Sequence, residues 1–135
     1  SFCQDSVRVK KLVTTIDHPN FGVLIDMGNF LCADDEPADA VARLMPYAFH
    51  CHAKDFHVKP STDPYPGEGW LITRGGNYLR GAIIGHGNVP ILQCLQTIKC
   101  AGYDGVLSLE YEGIEDVLVG TQSSHDNLRR FIAMA

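Results

Sequence analysis

Three residues of this chain stand where short apolar runs end. Asp26 follows Val23-Leu24-Ile25, His52 closes Ala48-Phe49-His50-Cys51-His52-Ala53, and Glu110 follows Val106-Leu107-Ser108-Leu109. Carboxylate, imidazole and carboxylate make a mixed oxygen and nitrogen donor set that suits Mn²⁺, Mg²⁺, Co²⁺ or Zn²⁺. Side chains alternate along a strand, so Leu24 shares a face with Asp26, His50 with His52 and Ser108 with Glu110. One face of each run therefore finishes on a candidate ligand. Taken singly, each residue has an ordinary role too: a helix cap for Asp26, a hydrogen-bonded core histidine for His52, a solvated acid for Glu110. Three coincident strand ends favour a shared site.

For the three to meet, their runs must be parallel strands whose C-terminal ends lie on one face, and the rest of the sequence has that pattern. Apolar residues at Val9, Leu12, Val13 and Ile16 predict a helix over 6–16, with Asp5 or Ser6 as its N-cap. After the turn residues Asp17 to Asn20, Phe21 to Ile25 reads as a strand with apolar content on both faces, which predicts cover on both. A second helix runs from Glu36-Pro37 to Leu44 with a stripe of Ala38, Val41, Ala42 and Met45. The prolines and glycines between about Phe56 and Val89 preclude a long helix and predict an extended functional loop. Pro90 opens a helix through Lys99 that Gly102 closes, and the last helix is expected from about Ser124 to Met134. The order α-βα-βα-βα is that of a parallel sheet with right-handed crossovers.

Composition narrows the partners. The 135 residues are 45% apolar and 20% charged with formal charge −5, values of a globular domain. Sixteen carboxylates against 11 lysines and arginines, without a basic cluster, disfavour a nucleic-acid surface. No apolar run approaches the ~20 residues of a membrane-spanning helix. Cys3, Cys32, Cys51, Cys94 and Cys100 form an odd set without a CxxC pair, which points to buried thiols in a reducing, cytoplasmic compartment rather than to disulfides or structural zinc. Gly85-His86-Gly87 lacks the third glycine and preceding strand of a dinucleotide fingerprint, so no nucleotide cofactor is expected. His57 and His125 lack a convincing context, and His86 reads as a loop residue.

Val23-Leu24-Ile25-Asp26-Met27-Gly28-Asn29-Phe30, then His50-Cys51-His52-Ala53-Lys54-Asp55, then Ala101-Gly102-Tyr103-Asp104-Gly105 through Ser108-Leu109-Glu110-Tyr111-Glu112-Gly113 together resemble the last three strands of the sugar phosphate isomerase/epimerase family. These xylose isomerase-like TIM barrels include ketose 3-epimerases, hydroxypyruvate isomerase, inosose dehydratase and endonuclease IV. The resemblance implies an α/β fold with residues 1–135 as a single partial domain: about three βα units from the C-terminal part of a (β/α)8 barrel, without its N-terminal strands. It also implies a divalent metal held by Glu, Asp, His and Glu, of which Asp26, His52 and Glu110 match the last three. The first glutamate has no counterpart. A closed barrel takes roughly 250 residues, so the isolated chain is expected to be poorly stable and inactive.

By the same resemblance the activity is an isomerase or epimerase of a sugar, sugar phosphate or polyol ketone, working by proton transfer through an enediolate. Glu110 would serve as both ligand and acid/base. Asn29, Lys54, Glu68, Trp70, Arg74 and Arg80 are candidate substrate contacts, an arginine suiting a phosphate, carboxylate or oxyanion. His50 and Asp55 are candidate supports behind the ligands, with Lys54 and Asp55 positioning either the loop or the His52 imidazole, or forming a surface ion pair. Glu112 shares the parity of Glu110 but lies past the strand end. A metal-dependent dehydratase or an endonuclease IV-like hydrolase uses the same barrel, and a catalytically incomplete binding module would also account for the missing ligand. The expected partner is a small-molecule sugar or polyol, with a homo-oligomer left open.

Overall fold

Asp5 begins the first element by accepting the backbone N–H groups of Val7 and Arg8, two donors that a helix start leaves without intrahelical partners. Helix α1 then runs Ser6–Ile16. The computed structural model describes residues 4–135, so Cys3 lies outside the described residues. Ser6 is fully buried, and its amide and hydroxyl both donate to Asp35 Oδ2, at 2.8 and 2.5 Å. Val9 and Val13 face the core, whereas Leu12 and Ile16 are exposed.

Strand β1 (Val23–Asp26) leads through a 3₁₀ turn (Asn29–Ala33) to helix α2 (Pro37–Leu44), where Pro37 occupies the first turn. The buried stripe of α2 is Ala38, Ala40, Val41 and Leu44. Ala42, expected in it, points to solvent. Strand β2 (Ala48–Ala53) lies parallel to β1, and β6 (Leu107–Leu109) lies parallel to β2, giving the order β1-β2-β6. Helix α3 (Ile91–Cys100) precedes β6, and Gly102 reverses the chain after it at φ +73°. One face of the sheet, carrying Ile25, Cys51 and Ala53, is packed beneath Val41 and Leu44 of α2 and Cys94, Leu95 and Ile98 of α3 in a continuous core. The opposite face is not covered as β1's apolar content predicted. Leu24, which shares that face with Asp26, is 51% exposed.

Two elements depart from the sequence expectation. The stretch after β2 is not one extended loop: it holds β3 (Asp55–Lys59), β4 (Leu71–Ile72) and β5 (Tyr78–Ala82), an antiparallel sheet in the order β3-β5-β4. Its prolines lie between β3 and β4, and Gly75-Gly76 form the β4–β5 turn, with Gly76 at φ +92°. The breaker residues therefore mark turns between short strands rather than an absence of strands. The last helix, α4 (Val117–Met134), starts seven residues early because Asp116 caps it by accepting from Leu118 and Val119 N–H. Its first turn, Val117 to Val119, is exposed, so the apolar periodicity that locates Leu128 in the core gives no sign of it. Among the described residues no helix is long and apolar enough to cross a membrane.

Candidate metal centre

Parallel pairing puts Asp26 of β1 opposite His52 of β2, and His52 opposite Ser108 of β6. Glu110 stands two residues beyond Ser108, on the same face, with its N–H still bonded to the Ala53 carbonyl at 3.0 Å. The three side chains converge although only two of them are in register. His52 Nδ1 lies 2.9 Å from Glu110 Oε2 and 3.9 Å from Asp26 Oδ2, and one donor atom from each residue falls within 4.8 Å of the others. Ligand bonds of about 2.0–2.2 Å place neighbouring donors roughly 3–4 Å apart, so spacing and chemistry both fit a divalent ion such as Mg²⁺, Mn²⁺ or Zn²⁺.

Asp26 is oriented from behind. Asp26 Oδ1 accepts the backbone N–H groups of Gly28 and Asn29, both at 3.0 Å, and Oδ2 accepts the Asn29 amide at 2.8 Å. Asn29 was expected to meet substrate; its side chain instead holds Asp26. His50 shares a face with His52, edge to face at 5.2 Å, and its Nε2 is 2.9 Å from the Ser108 hydroxyl.

Lys54 departs most from its expected role. It lies where the chain leaves β2 for β3 and is 2% exposed, too buried for a direct substrate contact without rearrangement. Its ammonium is 3.0 Å from Glu110 Oε1, 3.0 Å from Glu112 Oε2 and 3.6 Å from Asp26 Oδ2, and donates to Asn29 Oδ1 at 3.4 Å. Burial alone would lower the Lys54 pKa, but Asp26, Glu112 and Glu110 together raise it, so the ammonium stays charged. Burial would likewise raise Glu110, yet hydrogen bonds from Lys54 and His52 hold its carboxyl down at about 2. Asp26 is pushed up, chiefly by burial. Glu112 had been given no role, but parity alone could have found it: His52 and Lys54 share one face, as do Glu110 and Glu112.

The remaining candidates separate. Asp55 does not touch the His52 imidazole. Its carboxylate accepts four backbone N–H groups, from Phe56, Gly85, Gly87 and Val89, and so fixes the turn that leads into α3. A Cβ on Gly87 would stand 2.2 Å from Asp55 Oδ1, which is why a glycine fits there. Arg74 is committed elsewhere: its guanidinium donates to Asp5 Oδ2 at 2.8 Å and to the Ala33 carbonyl at 2.9 Å, joining the β4–β5 turn to the start of α1. Glu68 is exposed in the connection between β3 and β4. Trp70 and Arg80 do come together, with the guanidinium carbon 5.3 Å from the ring centroid. His86 and His125 are exposed. Cys51 and Cys94 are fully buried, and burial pushes the Cys94 thiol up to about 12, which keeps it protonated; Cys32 is half-buried and Cys100 exposed.

Comparison with known proteins places this geometry. A family model described as xylose isomerase-like TIM barrel matches residues 1–131. The chain belongs to that family. An uncharacterized protein of Methanocaldococcus jannaschii is 31% identical over 111 residues, covering 80% of this chain and 31% of the relative. A xylose isomerase domain protein from Planctomyces limnophilus superposes with a TM-score of 0.73 at 21% identity, covering 100% of this chain and 47% of that one. A xylose isomerase-like TIM barrel protein from Mycobacterium smegmatis, solved in complex with magnesium, gives 0.70 at 19% identity, covering 96% and 40%. A D-tagatose 3-epimerase-like protein gives 0.66 at 25% identity, covering 97% and 42%. The chain thus spans less than half the length of these relatives, and its α/β fold is a partial xylose isomerase-like barrel.

Proposed function

We propose that this chain provides three ligands of a divalent-metal-dependent sugar or polyol-ketone isomerase or epimerase that moves a proton through an enediolate. The observation that carries the reading is the convergence of Asp26, His52 and Glu110 within 4.8 Å at the C-terminal ends of neighbouring parallel strands. The epimerase-like neighbour and the magnesium complex of another neighbour support it. When bound, such an ion supplies Lewis-acid polarisation of a carbonyl and its adjacent hydroxyl. In this reading residues 1–135 act as one partial barrel domain, and a fourth ligand position is filled from outside the three strands.

The chain's own residues set the protonation states. Glu110 is held deprotonated by Lys54 and His52, which prepares it as a ligand. The same contacts make it a weak base, so proton transfer through Glu110 requires substrate to displace one of them. Asn29 keeps Asp26 oriented, and the Lys54 ammonium balances the surplus negative charge of Asp26, Glu110 and Glu112.

Titration with Mn²⁺ and Co²⁺ tests the site. Saturable binding is expected, weakened beyond the roughly 10- to 100-fold of an outer-partner change by His52→Ala or Glu110→Gln. Binding that ignores both substitutions sinks the assignment. A panel of ketoses in D₂O, given to the chain together with the segment that supplies the fourth ligand, then reads the reaction: metal-dependent incorporation of deuterium at the carbon beside the carbonyl is expected, and dehydration without exchange would replace isomerase by dehydratase.

A further inference from the structure

The antiparallel sheet carries a basic and aromatic face that the metal centre does not use. Cross-strand partners share a face, so His57 lies beside Arg80 and Lys59 beside Tyr78. Trp70 packs under this face, with the Arg80 guanidinium carbon 5.3 Å and the Lys59 ammonium 6.0 Å from its ring centroid. Neither Arg80 nor Lys59 has an ion-pair partner among the described residues. Arg80 Nε is fully buried with no hydrogen-bond acceptor. A buried guanidinium donor without an acceptor is costly and uncommon, and an added oxygen would satisfy it. The nearby acid, Glu115, is not that acceptor: its carboxylate takes the Tyr111 hydroxyl, the largest cause of its lowered pKa, with Arg80 and His57 contributing less. In a chain of net charge −5, two cationic side chains, Arg80 and Lys59, on one face with no ion-pair partner among the described residues form a local positive site.

The opposite face of this sheet adjoins the metal centre: a Cβ on Gly81, which alternation turns away from the Arg80 face, would stand 2.1 Å from the Glu112 carbonyl oxygen, and Glu112 is a partner of Lys54. Gly69, next to Trp70, is within 3.3 Å of Ile114 by the same measure, so the β3–β4 connection sits against the segment that leaves Glu110.

We propose that this face is an anion subsite in which Arg80, braced on Trp70 and flanked by Lys59 and His57, binds a phosphate or carboxylate group. Assigning that anion to the substrate, as a sugar phosphate or a sugar acid, rests on the isomerase reading; the anion site itself does not. The planar fork of arginine matches both groups, and the Trp70 ring limits the directions from which they approach.

Trp70 is the chain's single tryptophan, so intrinsic fluorescence reports the site directly. The full chain is titrated with inorganic phosphate and, separately, with acetate, against chloride at matched ionic strength. A saturable change in emission with either anion supports the subsite, and the tighter binder distinguishes a phosphate ester from an acid. Arg80→Gln should abolish the response, and Arg80→Lys, which keeps the charge without the fork, should weaken it about 10-fold. Far-ultraviolet circular dichroism checks that both variants fold, and the lysine variant decides if the glutamine variant does not. His52→Ala should leave the response intact, so Mn²⁺ binding that is absent from the parent chain or unchanged by His52→Ala, with a retained anion response, would overturn the metal reading alone. No saturable change beyond chloride, or a change that persists in the Arg80 variants, overturns the subsite.

Discussion

At the scale of single residues, Lys54 and Asp55 are neighbours in sequence with opposite duties. Lys54 joins three carboxylates at the candidate metal centre, whereas Asp55 collects four backbone N–H groups that would otherwise be buried without acceptors. Asp55→Asn replaces one acceptor oxygen by a donor and leaves two of those amides facing it. We expect a loss of about 2–4 kcal/mol, read as a lower urea midpoint at unchanged slope. A loss under about 0.5 kcal/mol, the usual size of a surface change, would contradict this role. Lys54→Met removes the one lysine or arginine paired with Asp26, Glu110 and Glu112 among the described residues and should cost about 3–5 kcal/mol in the presence of a chelator. Saturating Mn²⁺ should restore more stability to this variant than it adds to the parent chain, because the ion replaces the missing charge. Equal gains in the two proteins would show that Lys54 does not balance the site.

At the scale of elements, the antiparallel sheet is tied to the parallel part of the fold by acids. Asp34 accepts the Thr73 hydroxyl at 2.6 Å, the Asn77 amide at 2.8 Å and the Gly75 backbone N–H. Asp5 caps α1 with one oxygen and receives Arg74 with the other. Both carboxyls sit below their ordinary value of 3.8: Asp5 chiefly through Arg74, and Asp34 because the Thr73, Asn77 and Gly75 bonds together outweigh its burial. A lowered folded pKa contributes stability that is complete above 3.8 and is lost as pH falls through the folded value. The β4–β5 turn should therefore loosen in acid before the core around Ile25 and Cys51 does. The protection of the Gly75 amide relative to its intrinsic exchange rate, followed by NMR between about pH 5 and about pH 2, should fall, and Asp34→Asn should remove the dependence. Flat protection across that range would refute the tie.

At the scale of the whole molecule, the sheet order β1-β2-β6 leaves β1 and β6 each with one edge unpaired among the described residues. Leu24, Phe49 and Val106 are exposed on or beside those strands, and Val117 to Val119 are exposed on α4. Unpaired strand edges beside apolar surface favour association. The 135-residue chain studied by itself should bind a hydrophobic dye and self-associate with rising concentration, which light scattering coupled to gel filtration measures. A monodisperse monomer at all concentrations, without dye binding, would show that these surfaces are satisfied within one chain.

Much of this molecule is readable without coordinates because periodicity and parity are local. Strand β2 falls where Ala48–Ala53 places it, Asp5 caps α1, and Leu24 with Asp26, His50 with His52 and Ser108 with Glu110 share faces as alternation requires. What periodicity cannot carry is the destination of a long polar side chain. Whether Arg74 reaches substrate or Asp5, whether Asn29 meets a ligand or holds Asp26, and which carboxylates surround Lys54 depend on the relative placement of segments far apart in sequence. Short antiparallel strands between prolines and glycines are also invisible locally, because five residues such as Tyr78–Ala82 are held by cross-strand bonds to β3 rather than by their own preference. The three converging side chains stand at strand ends that the sequence marks. The cation in their midst and the unpartnered arginine beside Trp70 were decided only when the tertiary structure brought those segments together.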